Sequence, residues 1–142
     1  MESTILGVVL DSSVLIAAER AKLTTPEVIK TIRSSIGDLP IVISALTVAE
    51  LGHGIYRAKN PERSQQRRRF LDEIKSQIPI HPVTDTTAET IARIGAEQAA
   101  KGINVPFGDL IIGACALELG YAIGTSNVRD FNRIPGVNII RL

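Results

Sequence analysis

Residues 5–10 form a continuous apolar run, Ile-Leu-Gly-Val-Val-Leu, which ends abruptly at Asp11-Ser12-Ser13. A short apolar run of this kind is typical of a β-strand that is buried on both faces. Such strands occur in parallel sheets that are covered by helices on either side. The run therefore predicts an α/β fold in which Asp11 directly follows a buried strand.

The rest of the chain alternates short strands with helices. Pro79 and Pro82 predict that the third strand is short or lies at an edge, and the spacing of Thr86 and Glu89 indicates a helix start. Strands are expected at 5–10, 41–43, 78–83, 121–125 and 137–140, and helices at 14–20, 24–35, 46–59, 61–77, 86–101 and 109–119. The pattern predicts a three-layer α/β/α fold around a mostly parallel sheet of about four to five strands.

The composition indicates one globular domain over residues 1–142. Of the 142 residues, 44% are hydrophobic and 22% are charged, which excludes a disordered tail. The single cysteine excludes a disulfide framework and suits a reducing cytosol. No apolar run approaches the length of a membrane span, and Met1-Glu2-Ser3-Thr4 is not the basic leader of a secretion signal. We therefore expect a cytoplasmic protein without membrane contact.

The distribution of charge is uneven although the formal net charge is only +1. The small total argues against nucleic-acid binding through bulk charge alone. Residues 57–75, however, contain seven basic and three acidic residues, a local charge of +4 that leaves −3 for the remainder. This segment is a solvated helix face, a contact surface for a partner protein, or a contact surface for a nucleic-acid backbone. For the last of these roles, the candidate residues are Arg63, Arg67 and Arg68.

Polar residues follow the predicted strands, at the edge where open parallel sheets bind ligands. Asp11 follows the first strand, and Asn127 and Asp130 follow the strand at 121–125. Each of the three could also be an ordinary turn or capping residue. Asp109 opens a helix that is apolar all round, so its carboxylate either needs a compensating cation or caps the helix. Glu50 lies off the apolar stripe of its helix, and periodicity alone assigns it to a solvated face.

Several other kinds of site are excluded by the sequence. His53 and His81 have no second His or Cys at zinc-ligand spacing, and Cys115 lies in an apolar helix where packing is the expected role. No serine-hydrolase elbow, phosphate-binding loop or dinucleotide motif occurs. The acidic residues that remain are an oxygen-only set, which suits Mg²⁺ or Mn²⁺.

Four motifs, in this order, resemble those of PIN domains. They are DSSVLI at 11–16, LTVAEL at 46–51, PFGDLIIGA at 106–114 and GTSNVRDF at 124–131. Each motif alone is weak, whereas the ordered set is specific and covers nearly the whole chain. In length and in its final motif, the chain looks most like the VapC-type toxins of bacterial toxin–antitoxin pairs.

The resemblance implies a ribonuclease whose carboxylates hold Mg²⁺ or Mn²⁺. Asp11 and Asp109 would be the principal metal ligands, and Glu50 would take the second acidic position. The fourth position stays open, because Asn127 stands where many relatives carry Asp, while Asp130 lies three residues further on.

The resemblance also implies residues that orient the site and proteins that bind the chain. The hydroxyls of Ser12, Ser13 and Thr125, together with Asn127, are expected to orient the metal ligands or the substrate. A cognate VapB-type antitoxin whose tail blocks the active site is implied, as is a homodimeric toxin.

Two alternatives to a ribonuclease remain. One is a catalytically silent PIN-like interaction module, which the amide at Asn127 keeps open. The other is a phosphoryl-accepting receiver domain, although such a domain usually has an acidic pair near its first strand, and Asp11 has no acidic neighbour.

Overall fold

The computed structural model describes residues 4–142 and confirms the predicted α/β/α architecture. Five parallel strands form one sheet in the order β3-β2-β1-β4-β5. The strands are β1 (Val8–Leu10), β2 (Ile41–Ser44), β3 (Ile80–His81), β4 (Ala122–Thr125) and β5 (Ile139–Arg141). The helices are α1 (Ser12–Arg20), α2 (Thr25–Ile36), α3 (Ala45–Tyr56), α4 (Pro61–Gln77), α5 (Asp85–Ala100), α6 (Phe107–Leu119) and α7 (Val128–Phe131).

The central strand β1 is buried on both faces, as its apolar sequence predicts. Val9 belongs to a core that includes residues of α5 and α6, whereas Val8 and Leu10 belong to a second core with residues of α1, α2 and α4. None of the three side chains is accessible to solvent. Cys115 packs in the first core, and burial raises the pKa of its thiol. It is therefore a packing residue, as expected for a cysteine in an apolar helix.

The order of the strands reverses between β1 and β4. The chain passes from β1 outward through β2 to β3 on one side and then returns to add β4 and β5 on the other side. Gly124 permits the close packing of β4 here, because a Cβ atom would lie 2.6 Å from Leu142 Cδ1 and 2.9 Å from Val8 Cγ1. In an open α/β sheet, the crevice at such a reversal is where ligands bind, beyond the carboxyl ends of the strands.

Some boundaries differ from the predictions. The capping box of α5 is formed by Thr84 and Thr87, each of which accepts a hydrogen bond from the other's backbone N–H, so the helix begins before Thr86. A search for Thr followed by Glu misses it because the Thr87 hydroxyl replaces the carboxylate. The short helix α7 was not predicted, since four residues show no periodic pattern.

Three further observations concern strand β3, the length of the helices and the first residues of the chain. β3 is a two-residue edge strand, which agrees with the expectation from its flanking prolines. Within residues 4–142, no helix has both the length and the apolar character that a bilayer crossing requires. Residues 1–3, on which the expected lack of a secretion signal partly depends, lie outside the described residues.

Candidate active site

Asp11 is held firmly at the point where the strand order reverses. It connects β1 to α1, and its backbone N–H donates to the carbonyl oxygen of Gly124 at 2.9 Å. Its Oδ2 accepts hydrogen bonds from Ser13 Oγ at 2.7 Å and from Thr125 Oγ1 at 3.0 Å. The residue is only 8% exposed. Because both hydroxyls bind Oδ2, they fix the orientation of the carboxylate and leave Oδ1 available to a ligand.

The hydroxyls of Ser13 and Thr125 also connect the start of α1 to the segment after β4. Thr125 is fully buried, and its Oγ1 accepts from the backbone N–H of Asn127 at 2.9 Å. The backbone N–H of Ser126 donates to Ser13 Oγ at 3.5 Å. The segment that follows β4 is therefore fixed relative to Asp11 through side-chain hydroxyls.

Glu50 reaches this region from α3. The helix begins after Ser44, whose hydroxyl accepts from the backbone N–H of Leu46 at 3.1 Å. Ser12 Oγ donates to Glu50 Oε2 at 3.3 Å, which connects α3 to the start of α1. Although Glu50 is exposed as a residue, desolvation of its carboxyl group raises its pKa, and the charge of Asp11 raises it further. The helix periodicity did not indicate that this carboxyl group faces Ser12 and Asp11.

Asp109 approaches from the start of α6. It is the third residue of that helix, and Pro106 occupies the capping position, so Asp109 is not the N-cap. Burial raises the pKa of Asp109, and the charges of Asp130 and Asp11 raise it further, whereas the nearby Arg133 lowers it. Asp130 is half-buried in α7, and Asn127, at the capping position of α7, is exposed. Of the two residues considered for the fourth acidic position, Asp130 is the one whose charge acts on Asp109.

The four carboxyl groups suit a divalent cation through their chemistry rather than through a closed ligand cage. All of them offer oxygen, and burial together with mutual repulsion raises the pKa of both Glu50 and Asp109, a cost that a bound cation would relieve. Across the described residues 4–142, no three Asp, Glu, His or Cys side chains are arranged to hold a metal ion among them. Mg²⁺ commonly keeps several waters and needs only one or two carboxylates, so the open arrangement fits this ion.

A cleft of about 450 Å³ lies beside Glu50, between α1, α3 and α4. It is lined by Ile16, Glu19, Arg20, Glu50, Leu51, His53, Gly54, Arg57, Arg67 and Phe70. The cleft therefore combines apolar and basic surface with the Glu50 side chain at one side.

The three basic residues predicted to contact RNA differ in their surroundings. Arg67 Nη1 donates to the Gly54 carbonyl at 2.6 Å, and its Nε lies 3.8 Å from Glu19 Oε1. Arg68 pairs with Asp72 at 3.0 Å along α4. Arg63 is exposed. Arg67 lines the cleft, whereas Arg63 and Arg68 do not.

Sequence reasoning missed two other groups of residues. Arg20 lies outside the basic segment 57–75 and was not singled out, yet it lines the cleft together with Arg57, because α1 lies beside α3 and α4 there. The charge of Arg133 lowers the pKa of Asp109. The two residues are 24 positions apart in the chain, and no local sequence pattern connects them. The histidines have separate roles, because His81 pairs with Glu118 at 2.8 Å while the exposed His53 lines the cleft.

The comparisons with known proteins identify the family of this chain. The family model described as PIN domain matches residues 8–137. Ribonuclease VapC1 of Rickettsia felis is 31% identical over 135 residues, which cover 95% of this chain and 96% of that protein. The tRNA(fMet)-specific endonuclease VapC of Salmonella typhimurium is 32% identical over 97 residues, which cover 68% of this chain and 70% of that protein.

Solved structures show the same architecture. DNA-bound VapBC from Salmonella typhimurium contains a chain that superposes with a TM-score of 0.81 at 26% identity, covering 96% of this chain and 98% of that chain. DNA-bound VapBC2 from Rickettsia felis gives a TM-score of 0.81 at 21% identity, covering 95% and 98%, and this likeness concerns the fold alone. Because the family model covers residues 8–137 and the VapC1 relative extends over 95% of the chain, the chain belongs to the PIN domain family and, within it, to the VapC group.

Proposed function

We propose that this chain is a divalent-metal-dependent endoribonuclease that acts as the toxin of a toxin–antitoxin pair. The observation that carries the proposal is the convergence of carboxyl groups from four separate segments beyond the carboxyl ends of β1 and β4. Asp11 is fixed there by two hydroxyls, and its charge raises the pKa of both Glu50 and Asp109. The names of the VapC relatives, which include ribonucleases and a tRNA endonuclease, support the same activity.

The residues of the chain have distinct tasks in this proposal. Asp11 and Asp109 would hold the cation, with Asp11 presenting Oδ1 because Ser13 and Thr125 occupy Oδ2. When bound, Mg²⁺ or Mn²⁺ lowers the pKa of a bound water and polarises a phosphodiester oxygen. Glu50, with Oε2 engaged by Ser12, would hold the attacking water through Oε1. Asp130 would add negative charge beside Asp109, while Ser12, Ser13, Thr125 and Asn127 keep the ligands in place.

RNA binding would use the positive surface next to these carboxylates. The cleft beside Glu50 presents Arg20, Arg57 and Arg67, and the exposed Arg63 extends the basic surface along α4. Arg68 is a weaker candidate than the sequence indicated, because Asp72 already pairs with it. Transfer RNA is the first substrate to test, since one relative is named for cleavage of tRNA(fMet).

Two protein partners are proposed for this chain. Solved structures with the same fold include VapBC bound to DNA, and one from Mycobacterium tuberculosis is described as a member of the VapBC family of toxin–antitoxin systems. We expect this chain to bind a VapB-type antitoxin and to form a homodimer. A single PIN domain over residues 1–142 and a cytoplasmic location remain predictions. Co-purification with the antitoxin encoded beside its gene, followed by light scattering, tests both partners.

The experiment for the activity is direct. The purified chain is incubated with transfer RNA and with unstructured RNA in Mg²⁺, in Mn²⁺ and in EDTA. We expect cleavage with either metal and none in EDTA. If neither RNA is cut in either metal, the proposed cleavage of these RNAs fails, and a silent interaction module of the PIN fold is favoured instead.

A further inference from the structure

Two buried side chains flank the exposed Arg133. Phe131 and Ile134 on either side of it are 1% and 3% exposed. Ile134 packs so closely on α6 that a Cβ atom at Gly113 would lie 2.7 Å from its Cδ1. The segment is therefore pressed against the helix that carries Asp109.

A buried glutamine adds a polar restraint. Gln98 of α5 is 6% exposed, and its Nε2 donates to the Arg133 carbonyl at 2.7 Å. This hydrogen bond connects the Arg133 backbone to α5.

The side chain of Arg133 is directed back toward the start of α6. Its Nη1 donates to the carbonyl of Asn104, five positions before Asp109, at 3.3 Å. Among the described residues, Arg133 forms no ion pair within 4.0 Å, although its charge acts on Asp109. The guanidinium is thus held beside the segment that leads into Asp109, and its remaining donors form no hydrogen bond among the described residues.

A guanidinium of this kind suits a phosphate. Arginine presents a planar array of donors that matches phosphate oxygens, and the substrate of a ribonuclease is a polyanion that acidic ligands repel. We propose that Arg133 is a substrate-contacting residue, whose guanidinium binds an RNA phosphate next to the bond that is cleaved. This inference rests on the proposed ribonuclease function, and it adds to the site a positive residue from the segment after α7 rather than from α4.

Three proteins test the proposal. In the cleavage-deficient Asp11→Asn background, we compare Arg133 with Arg133→Gln, which keeps a donor for Asn104 but removes the charge, and with Arg133→Lys, which keeps the charge. The probe is a short fluorescein-labelled single-stranded RNA, and anisotropy gives its Kd at several salt concentrations. For Arg133→Gln we expect about tenfold weaker binding and a salt slope smaller by about 0.7. For Arg133→Lys, we expect the same salt slope as for the protein that retains Arg133.

A second measurement separates substrate contact from loop support. With Asp11 intact, loss of the positive charge at Arg133→Gln should strengthen Mn²⁺ binding about two- to fivefold, because a competing cation leaves the site. Weaker Mn²⁺ binding would show that the variant displaces Asp109 through the Asn104 segment, and it would overturn the proposal. An unchanged Kd and salt slope for RNA would overturn it as well.

The control is Arg93→Gln on α5, where an exposed arginine pairs with Glu97 along the helix and with no other acidic residue of the described range 4–142. This variant removes the same charge and should leave RNA and Mn²⁺ binding unchanged. If it lowers the RNA salt slope as much as Arg133→Gln does, the effect is one of total charge and the proposal fails.

Failure of the proposed function is a separate outcome. If the protein with Asp11 intact does not cleave RNA, the proposed function fails, whereas the binding comparison still decides the role of Arg133.

Discussion

The candidate site has two sides, whose carboxylates are held in different ways. The sheet side is Asp11, which directly follows β1, and the helix side consists of Glu50 in α3 and Asp109 in α6. On the sheet side, two hydroxyl donors hold Asp11 Oδ2. On the helix side, Asp109 and Glu50 are subject to burial and to neighbouring negative charge, and the pKa of each is raised. Asp11 is thus pre-oriented in the metal-free protein, whereas Asp109 and Glu50 gain most from a cation. The sheet side therefore orients a carboxylate before a cation binds, and the helix side responds most strongly to the charge of the cation.

The largest effect should come from removing the charge on the oriented side. Asp11→Asn keeps the shape and the hydroxyl contacts of Asp11 but removes its negative charge. We expect RNA cleavage to fall by at least about 100-fold, the scale of a lost electrostatic contact to the reacting group, with an unchanged circular dichroism spectrum. Cleavage assays on the purified variant measure this, and undiminished cleavage would refute the assignment of Asp11.

A smaller loss of cleavage is expected when the carboxylate of Asp11 is kept and only its orientation is disturbed. Thr125→Val removes the hydroxyl that donates to Asp11 Oδ2 and accepts from Asn127. Partners that orient metal ligands typically contribute about 10- to 100-fold to activity or metal affinity, and we expect a loss of cleavage in this range. The control is Thr31→Val on the exposed face of α2, whose hydroxyl donates to the Glu27 carbonyl of the same helix. Equal activity of the two variants would show that orientation by Thr125 is unimportant.

The sheet side could largely be predicted from the sequence, and the helix side could not. The apolar run before Asp11 indicates the buried strand β1, and a polar residue after such a strand lies at the ligand-binding edge. Glu50 is different, because its carboxyl group reaches Ser12 only through the packing of α3 against α1. Helical periodicity reports burial against the core and carries no information about a neighbour 38 positions away. The resemblance of motifs, rather than periodicity, identified Glu50.

The same limit explains Arg133 and the cleft arginines. Their proximity to the carboxylates arises from the parallel crossovers that return distant segments to one edge of the sheet. Arg63, Arg67 and Arg68 stood out in the sequence because they are neighbours in the chain. Arg67 instead bonds to Gly54 and lies near Glu19, and Arg68 pairs with Asp72. A local charge count therefore overstates how many of these cations face a ligand.

The next effect concerns stability and tests the helix side directly. A ligand that binds only the folded state stabilises it by about 2.7 kcal/mol at 100 times its Kd, so Mn²⁺ should raise the Tm of the wild-type protein by several degrees. Asp109→Ala should abolish most of this increase. Thermal unfolding followed by circular dichroism in EDTA and in Mn²⁺ measures both proteins. Equal increases in Tm would contradict a metal role for Asp109.

The smallest effect is a pH dependence of the metal-free protein. The pKa values of Glu50 and Asp109 are raised from their ordinary 4.5 and 3.8, so the folded state binds protons more tightly than the unfolded state. Stability contributed by these groups is therefore present at low pH and is lost as pH rises through the unfolded and then the folded pKa values.

Asp109→Asn removes one of the two groups and should reduce that loss. In EDTA, we expect the Tm of Asp109→Asn to increase relative to wild type, by a few degrees at most, between pH 4 and neutrality. The control is Asp38→Asn, which removes a charge from an exposed position outside the site. Saturating Mn²⁺ should reverse the order, because wild type alone retains both principal ligands. A difference in Tm that stays constant with pH, or that Asp38→Asn reproduces, would mean that Asp109 carries no special electrostatic cost and would remove the contrast between the two sides.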